Sequence, residues 1–181
     1  MRKLEFGVEV FLCTIFVALC FSSCLKDGGG GEVINGANLS INDPLPALDL
    51  TLSDGSKIND GTLTNKVSLI FFFSTTCPDC MQQFPIAEQL YKEMKEEKDF
   101  VFCAISRSQG ENTVSKYWKN ENLTMPYSAQ NDSHVYGLFA SRTIPRIYIS
   151  DRNNIIKKMY DDDPIADYES MMSTIKELLS K

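Results

Sequence analysis

Cys77 and Cys80, in the stretch "FFFSTTCPDCMQQFP" (residues 71–85), are the residues of this chain best suited to covalent chemistry. Two thiols separated by two residues suit three roles: thiol–disulfide exchange, half of a metal site, or plain packing. A structural zinc site wants four ligands, usually as two paired motifs. Here there is one pair, and the single histidine, His134, has no companion at metal-ligand spacing. The reading is therefore of no metal site. Packing suits the pair poorly, because polar Thr75, Thr76 and Asp79 surround the thiols. Exchange needs a thiolate to attack a disulfide and a second thiol to resolve the product.

The flanking elements decide whether the pair can do this. "KVSLIFFF", 66–73, is a continuous apolar run of the kind buried on both faces of a parallel or mixed sheet. After the cysteines, Phe84, Ala87, Tyr91 and Met94 recur at helical spacing. Cys77 thus falls where a buried strand ends and a helix begins. Unpaired amides and the positive end of the helix dipole favour a thiolate there. Cys80 follows within one turn and can reach the same sulfur. Asp79 places a carboxylate beside the thiols, which opposes the thiolate and predicts a reducing pair. Pro145, in "TIPR", lies directly before another strand and could turn the chain by a cis bond.

Further elements follow from pattern. "PLPALDLTLSDGSKIN", 44–59, alternates Leu48, Leu50 and Leu52 before an Asp-Gly turn and reads as a hairpin. Strands are expected at 99–106, 125–129, 146–150 and 155–160, and helices at 113–122 and 132–140. Pro85 should kink the helix after the cysteines early or lie in its first turns. Glu88 and Lys92 form an i,i+4 pair on its exposed side. A last helix is expected to start with Asp163 as cap and Pro164 in its first position. Strands alternating with helices imply a mixed sheet with helices on both faces. Cys103, in "FVFCAIS", reads as a core residue.

The 181 residues carry a net charge of −6, and the chain keeps that charge without residues 1–23. That balance argues against a nucleic-acid partner, because phosphate neutralisation needs a basic face. Residues 1–23 begin with Arg2 and Lys3, continue through the apolar run Val10–Phe21 and end in Ser22 and Ser23, the order of a secretory signal. "FSSC" resembles a bacterial lipoprotein signal, in which Cys24 is lipidated and becomes the new N-terminus. Residues 24–40, with four consecutive glycines, read as a tether spanning roughly 20 Å that would hold a domain of residues 41–181 near a membrane.

"SLIFFFSTTCPDC", followed by "RTIPRIYI", resembles the thioredoxin-like fold, in particular the membrane-anchored thiol-disulfide oxidoreductases related to ResA and TlpA. The resemblance covers about residues 40–181. It implies an α/β, three-layer fold with a mixed central sheet, helices on both faces and an N-terminal β-hairpin. It implies Cys77 as nucleophile and Cys80 as resolving thiol, with Thr76, Pro78 and Asp79 completing the active loop. A cis-proline at Pro145, after Ile144, would face the pair, and the backbone there would pair with substrate. The implied partners are protein thiols or disulfides of the cell envelope, an upstream thiol donor, and the membrane through lipidated Cys24. No cofactor is called for.

Departures from the family pattern are specific. Thr76 stands where relatives usually carry tryptophan, and Trp118 is the sole tryptophan. Gln83 replaces a glutamate that could accept a proton, Phe71 replaces a buried acid of some thioredoxins, and Arg146 follows the proline where threonine is common. Proton transfer from Cys80 therefore lacks an obvious base. Two other functions compete. A peroxidase of the peroxiredoxin type would carry threonine where Ser74 stands and proline where Ile70 stands. A thioredoxin-like binding module with little redox activity is the second, favoured by Gln83 and Thr76.

Overall fold

The computed structural model describes residues 38–181. The leader, Cys24 and most of the tether therefore lie outside the described residues. A hairpin of β1 (Asp49–Thr51) and β2 (Lys57–Asn59) leads into a short helix α1 (Asp60–Leu63). Then come β3 (Val67–Phe73), α2 (Pro78–Met94), β4 (Phe100–Ser106), α3 (Glu111–Glu121), β5 (Tyr127–Ser128), α4 (His134–Gly137), β6 (Arg146–Ser150), β7 (Ile156–Tyr160) and α5 (Tyr168–Leu179).

Five strands form one mixed sheet in the order β5-β4-β3-β6-β7. β3 lies at its centre, parallel to β4 and antiparallel to β6. All seven residues of β3 are buried, which is why this segment is apolar apart from Ser68, whose hydroxyl lies 2.6 Å from that of Ser150 on β6. Alternate residues feed two separate cores. Leu69, Phe71 and Phe73 join Cys80 and Phe84 of α2, Trp118 of α3, and Met171 and Ile175 of α5. Ile70 and Phe72 face the other way, onto the hairpin, Leu63 of α1, Tyr136 of α4 and Phe139. This is the thioredoxin-like α/β arrangement with its N-terminal hairpin. Cys103 packs in the second core, on the sheet face opposite Cys80.

Three expectations change. The last helix begins at Tyr168, with Asp167 rather than Asp163 as cap, its carboxylate accepting from the Ser170 amide at 2.8 Å. The reason is Ala166, whose N–H and C=O are both taken by the Gln83 side chain and are withdrawn from helix hydrogen bonding. The Asp163–Pro164 peptide is cis. Glu88 pairs with Lys92 at 3.1 Å but is buried, not exposed, because the loop after α3 covers it. Pro85 lies in the interior of α2, which continues through it. The helix α1 has no apolar period to announce it; it rests on a capping box between Asn59 and Thr62.

Candidate active site

The C-terminal end of β3 points the chain into the loop Ser74–Cys77, and α2 begins at Pro78. Proline suits that first helical position because its missing N–H would have no partner there. Cys77 is the N-cap. Its sulfur accepts a hydrogen bond from the Cys80 amide at 3.3 Å and donates to the Ile144 carbonyl at 3.4 Å. The Ile144–Pro145 peptide is cis. Three chain segments thus meet at one sulfur: the end of β3, the first turn of α2 and the loop before β6.

Burial separates the two thiols. Cys77 is half-buried, whereas Cys80 is 0% exposed. Burial, above all, pushes the Cys80 thiol well above the ordinary thiol range. Its hydrogen bond with Cys77 adds to this, as do the charges of Cys77 and Asp79, against a smaller opposing bond to the Ser74 backbone. The pair is therefore asymmetric: one sulfur is reachable and held by a helix N-terminal amide, and the other is sequestered and reluctant to ionise. Cys103 is also pushed up by burial, and it lies behind the sheet.

The other loop residues fall as follows. Thr76 and Pro78 are exposed and Asp79 is half-buried. The Thr76 hydroxyl lies 3.0 Å from that of Ser74, whose oxygen also accepts from the Thr76 amide at 3.3 Å. Met81 stands 44% exposed just beyond the second thiol, at the mouth of a groove of about 650 Å³ between α2 and α3. Trp118 sits inside the first core, where its ring centroid lies 4.8 Å from that of Phe73 and its indole N–H donates to the Met125 carbonyl at 2.8 Å. Phe71 packs edge-on to Phe84 in the same core.

Arg146 turns away from the thiols. On β6 it alternates with Ile147, which belongs to the Cys80 core, and so faces the opposite side with Tyr148. Its Nη2 reaches the Thr143 hydroxyl at 3.4 Å.

Two supporting residues had no local signal in the sequence. The Gln109 side chain accepts from the Thr75 amide at 2.7 Å, bracing the loop before Cys77. The Tyr136 hydroxyl lies 2.6 Å from the Arg142 carbonyl and 2.7 Å from that of Thr143, fixing the loop before the cis-proline. Both act across more than 30 residues or from a different element, so spacing could not point to them. Among the described residues no group of three or more metal-ligating side chains converges. No helix there is long and apolar enough to cross a membrane.

Known proteins are similar to this chain in sequence and in fold. The chain is 22% identical over 138 residues to a thiol-disulfide oxidoreductase ResA of Bacillus cereus, covering 76% of this chain and 79% of that one. To the ResA of Halalkalibacterium halodurans it is 28% identical over 114 residues, 61% of this chain and 64% of that one. Among solved structures, a candidate protein disulfide isomerase from Bacteroides thetaiotaomicron superposes with a TM-score of 0.74 at 23% identity, covering 81% of this chain and 94% of that one. The exposed lipoprotein thioredoxin Etrx1 of Streptococcus pneumoniae superposes with a TM-score of 0.63 at 17% identity, covering 74% and 100%. Residues 40–177, most of the described chain and all of the thiol site, match the Redoxin family, and the chain belongs to it.

Proposed function

We propose that this protein is an extracytoplasmic thiol-disulfide oxidoreductase that reduces protein disulfides through Cys77 and Cys80. The observation that carries the reading is the Cys77 sulfur: half-exposed, at the N-terminus of α2, bonded to the Cys80 amide and set against the carbonyl that precedes a cis-proline. The Cys77 thiolate attacks one sulfur of the substrate disulfide. That S–S bond breaks, the far sulfur leaves as a thiolate and takes a proton, and a mixed disulfide joins Cys77 to the near sulfur. Cys80 then gives up its proton and attacks Cys77, releasing the second substrate thiol. Two electrons have passed to the substrate, and the protein is left with a Cys77–Cys80 disulfide. An upstream thiol donor must return those electrons.

Ile144 and Pro145 are the backbone that a substrate strand would lie against. Thr76, Pro78 and Asp79 form the rim. Residues 24–40 act as a tether from lipidated Cys24 to the cell-envelope membrane. Two relatives support these readings by their descriptions: ResA as a thiol-disulfide oxidoreductase and Etrx1 as an exposed lipoprotein.

The test is trapping. With Cys80→Ala, Cys77 should accumulate in mixed disulfides with envelope proteins, and further Cys77→Ser substitution should abolish them. Absence of trapped partners, together with no reduction of insulin by the unmodified protein, would favour a binding module. For the anchor, Cys24→Ser should move the protein from the membrane to the soluble fraction and abolish labelling by a radioactive fatty acid.

A further inference from the structure

Topology brings three arginines to the end of the sheet that carries the thiols. β3 and β4 run parallel, so Arg107, the first residue after β4, arrives beside the loop that follows β3. Its amide donates to the Phe73 carbonyl at 2.8 Å. β6 runs antiparallel to β3, so its first residue, Arg146, and Arg142 in the loop before it come to the same end. The three are bound into one structure. Arg107 Nη1 donates to the Arg142 carbonyl at 2.7 Å, and its guanidinium stacks 4.5 Å from the centroid of Tyr136. Tyr136 in turn holds the carbonyls of Arg142 and Thr143. The next carbonyl, of Ile144, is the one that touches the Cys77 thiol.

Of the four arginines among the described residues, three gather here, and the fourth, Arg152, pairs with Asp99. The chain has 24 acidic and 18 basic side chains, so carboxylates are plentiful. Lys66, Lys92 and Lys157 find carboxylates in Asp99, Glu88 and Asp151, while Lys57, Lys98, Lys116, Lys119, Lys158 and Lys176 have none within 4.0 Å. Among the described residues, Arg107, Arg142 and Arg146 meet no carboxylate within 4.0 Å. Asp161 acts on Arg146 from beyond that distance, and the buried Arg146 Nε has no hydrogen-bond partner. Arg142 is exposed. Guanidinium groups present a planar fork that fits carboxylates two bonds at a time. A substrate strand lying along Ile144 would carry its flanking side chains past Arg142.

We infer that Arg142, with Arg107 behind it, forms a docking patch for an acidic segment of the disulfide-bearing partner, with Asp or Glu side chains near the cysteine that Cys77 attacks. This rests on the exchange reading above and names the class of substrate it favours. The patch steers encounter and sets register, and its effect weakens with salt.

The experiment uses the full chain in its reduced state and two synthetic peptides with one internal disulfide. One carries three Glu beside a cysteine, the other three Gln. An uncharged small disulfide, hydroxyethyl disulfide, reports exchange itself. At low salt the second-order rate constant for the Glu peptide should exceed that for the Gln peptide about tenfold, falling toward equality at high salt. Arg142→Gln should cut this ratio about threefold. Lys176→Gln, the same charge change on α5, should leave the ratio as it was. Equal rates for the two peptides, or equal effects of the two substitutions, overturn the patch while reduction of hydroxyethyl disulfide leaves the exchange reading standing. Failure to reduce hydroxyethyl disulfide overturns the exchange reading, and the patch with it.

Discussion

Gln83 grips Ala166 with both ends of its amide: Nε2 donates to the Ala166 carbonyl at 3.0 Å, and Oε1 accepts from the Ala166 N–H at 2.9 Å. Both residues are 0% exposed. The bond ties the approach to α5 to the helix that carries the thiols. An amide is suited to the task because it presents a donor and an acceptor side by side.

Gln83→Ala would leave two buried backbone groups of Ala166 unpaired. The expected loss is about 2–4 kcal/mol, read from the urea midpoint. A midpoint unchanged within error would mean that the loop before α5 finds other partners.

Gln83→Glu separates the two possible uses of the position. A protonated carboxyl can both donate and accept, as the amide does, but an ionised one only accepts and faces the Ala166 carbonyl without a proton. The folded state therefore raises the glutamate pKa above its unfolded value of about 4.3. A group raised in this way contributes stability that is fully present below its unfolded pKa and lost as pH rises through the folded one. The variant should match the parent at pH 4 and fall progressively below it toward pH 8. A constant difference across that range would sink the argument.

Glu88 has the opposite sign. Burial alone would raise its pKa, but the Thr124 hydroxyl and amide, the Met125 amide and Lys92 outweigh that and hold it below the usual carboxylate range. A depressed carboxylate contributes stability that is present above its unfolded pKa and lost as pH falls through the folded one. Glu88→Ala should cost about 3 kcal/mol at pH 7, since two amides lose a buried acceptor. The cost should shrink in acid, which chemical unfolding at pH 7 and pH 3 would reveal.

Glu88 also shows where the sequence stops being readable. Helical periodicity picks out Phe84, Ala87, Tyr91 and Met94 as inward-facing; Phe84, Ala87 and Met94 are buried and Tyr91 is half-buried. Yet periodicity says nothing about which distant loop will lie over the helix flank, and it is residues 124–125 that bury Glu88. The same limit applies to Ala166, whose partner is 83 residues away and whose capture delays α5 to Tyr168. Features set by neighbours in the chain were legible: the all-buried β3, the Asp-Gly hairpin, and the junction that places Cys77 at a helix start. Features set by contact across the fold were not, including Gln109 on the Thr75 amide and Tyr136 under the loop before Pro145.

Asp79 tests the tuning of the pair. Its charge is among the influences that push the Cys80 thiol up, behind burial and Cys77. Asp79→Asn removes a carboxylate that disfavours the Cys80 thiolate, so slightly more of that thiolate is present at a given pH and attack on Cys77 in the mixed disulfide quickens. Asp79 is partly exposed and its effect is screened, so the expected gain is small, about twofold in the closure rate. Rapid-quench measurement of thiol release at pH 7 resolves the direction, and slower closure would refute the role given to Asp79.

Cys80 sets the pH dependence of the second half of the reaction. In the mixed disulfide Cys77 no longer bears a thiol or a charge, so its own influence on Cys80 disappears. Burial and Asp79 remain, and both hold the thiol above its ordinary value. Ring closure needs the Cys80 thiolate. Gln83 cannot take the proton, and Cys80 belongs to a largely apolar core with Phe71, Phe73 and Phe84. The closure rate should therefore rise about tenfold per pH unit from pH 6 through 9, without levelling at the 8.5 of an ordinary thiol. Linkage gives a second reading of the same group. A raised folded pKa means stability that is fully present below about pH 8.5 and lost as pH rises through the folded value, so the reduced protein should weaken in alkali relative to the oxidised one. Rapid-quench measurement of thiol release from a mixed disulfide at Cys77 checks the first, and urea unfolding of the two redox forms at pH 7 and 10 checks the second. A plateau in closure between pH 7 and 8 would mean that some group in the folded protein accepts the Cys80 proton after all.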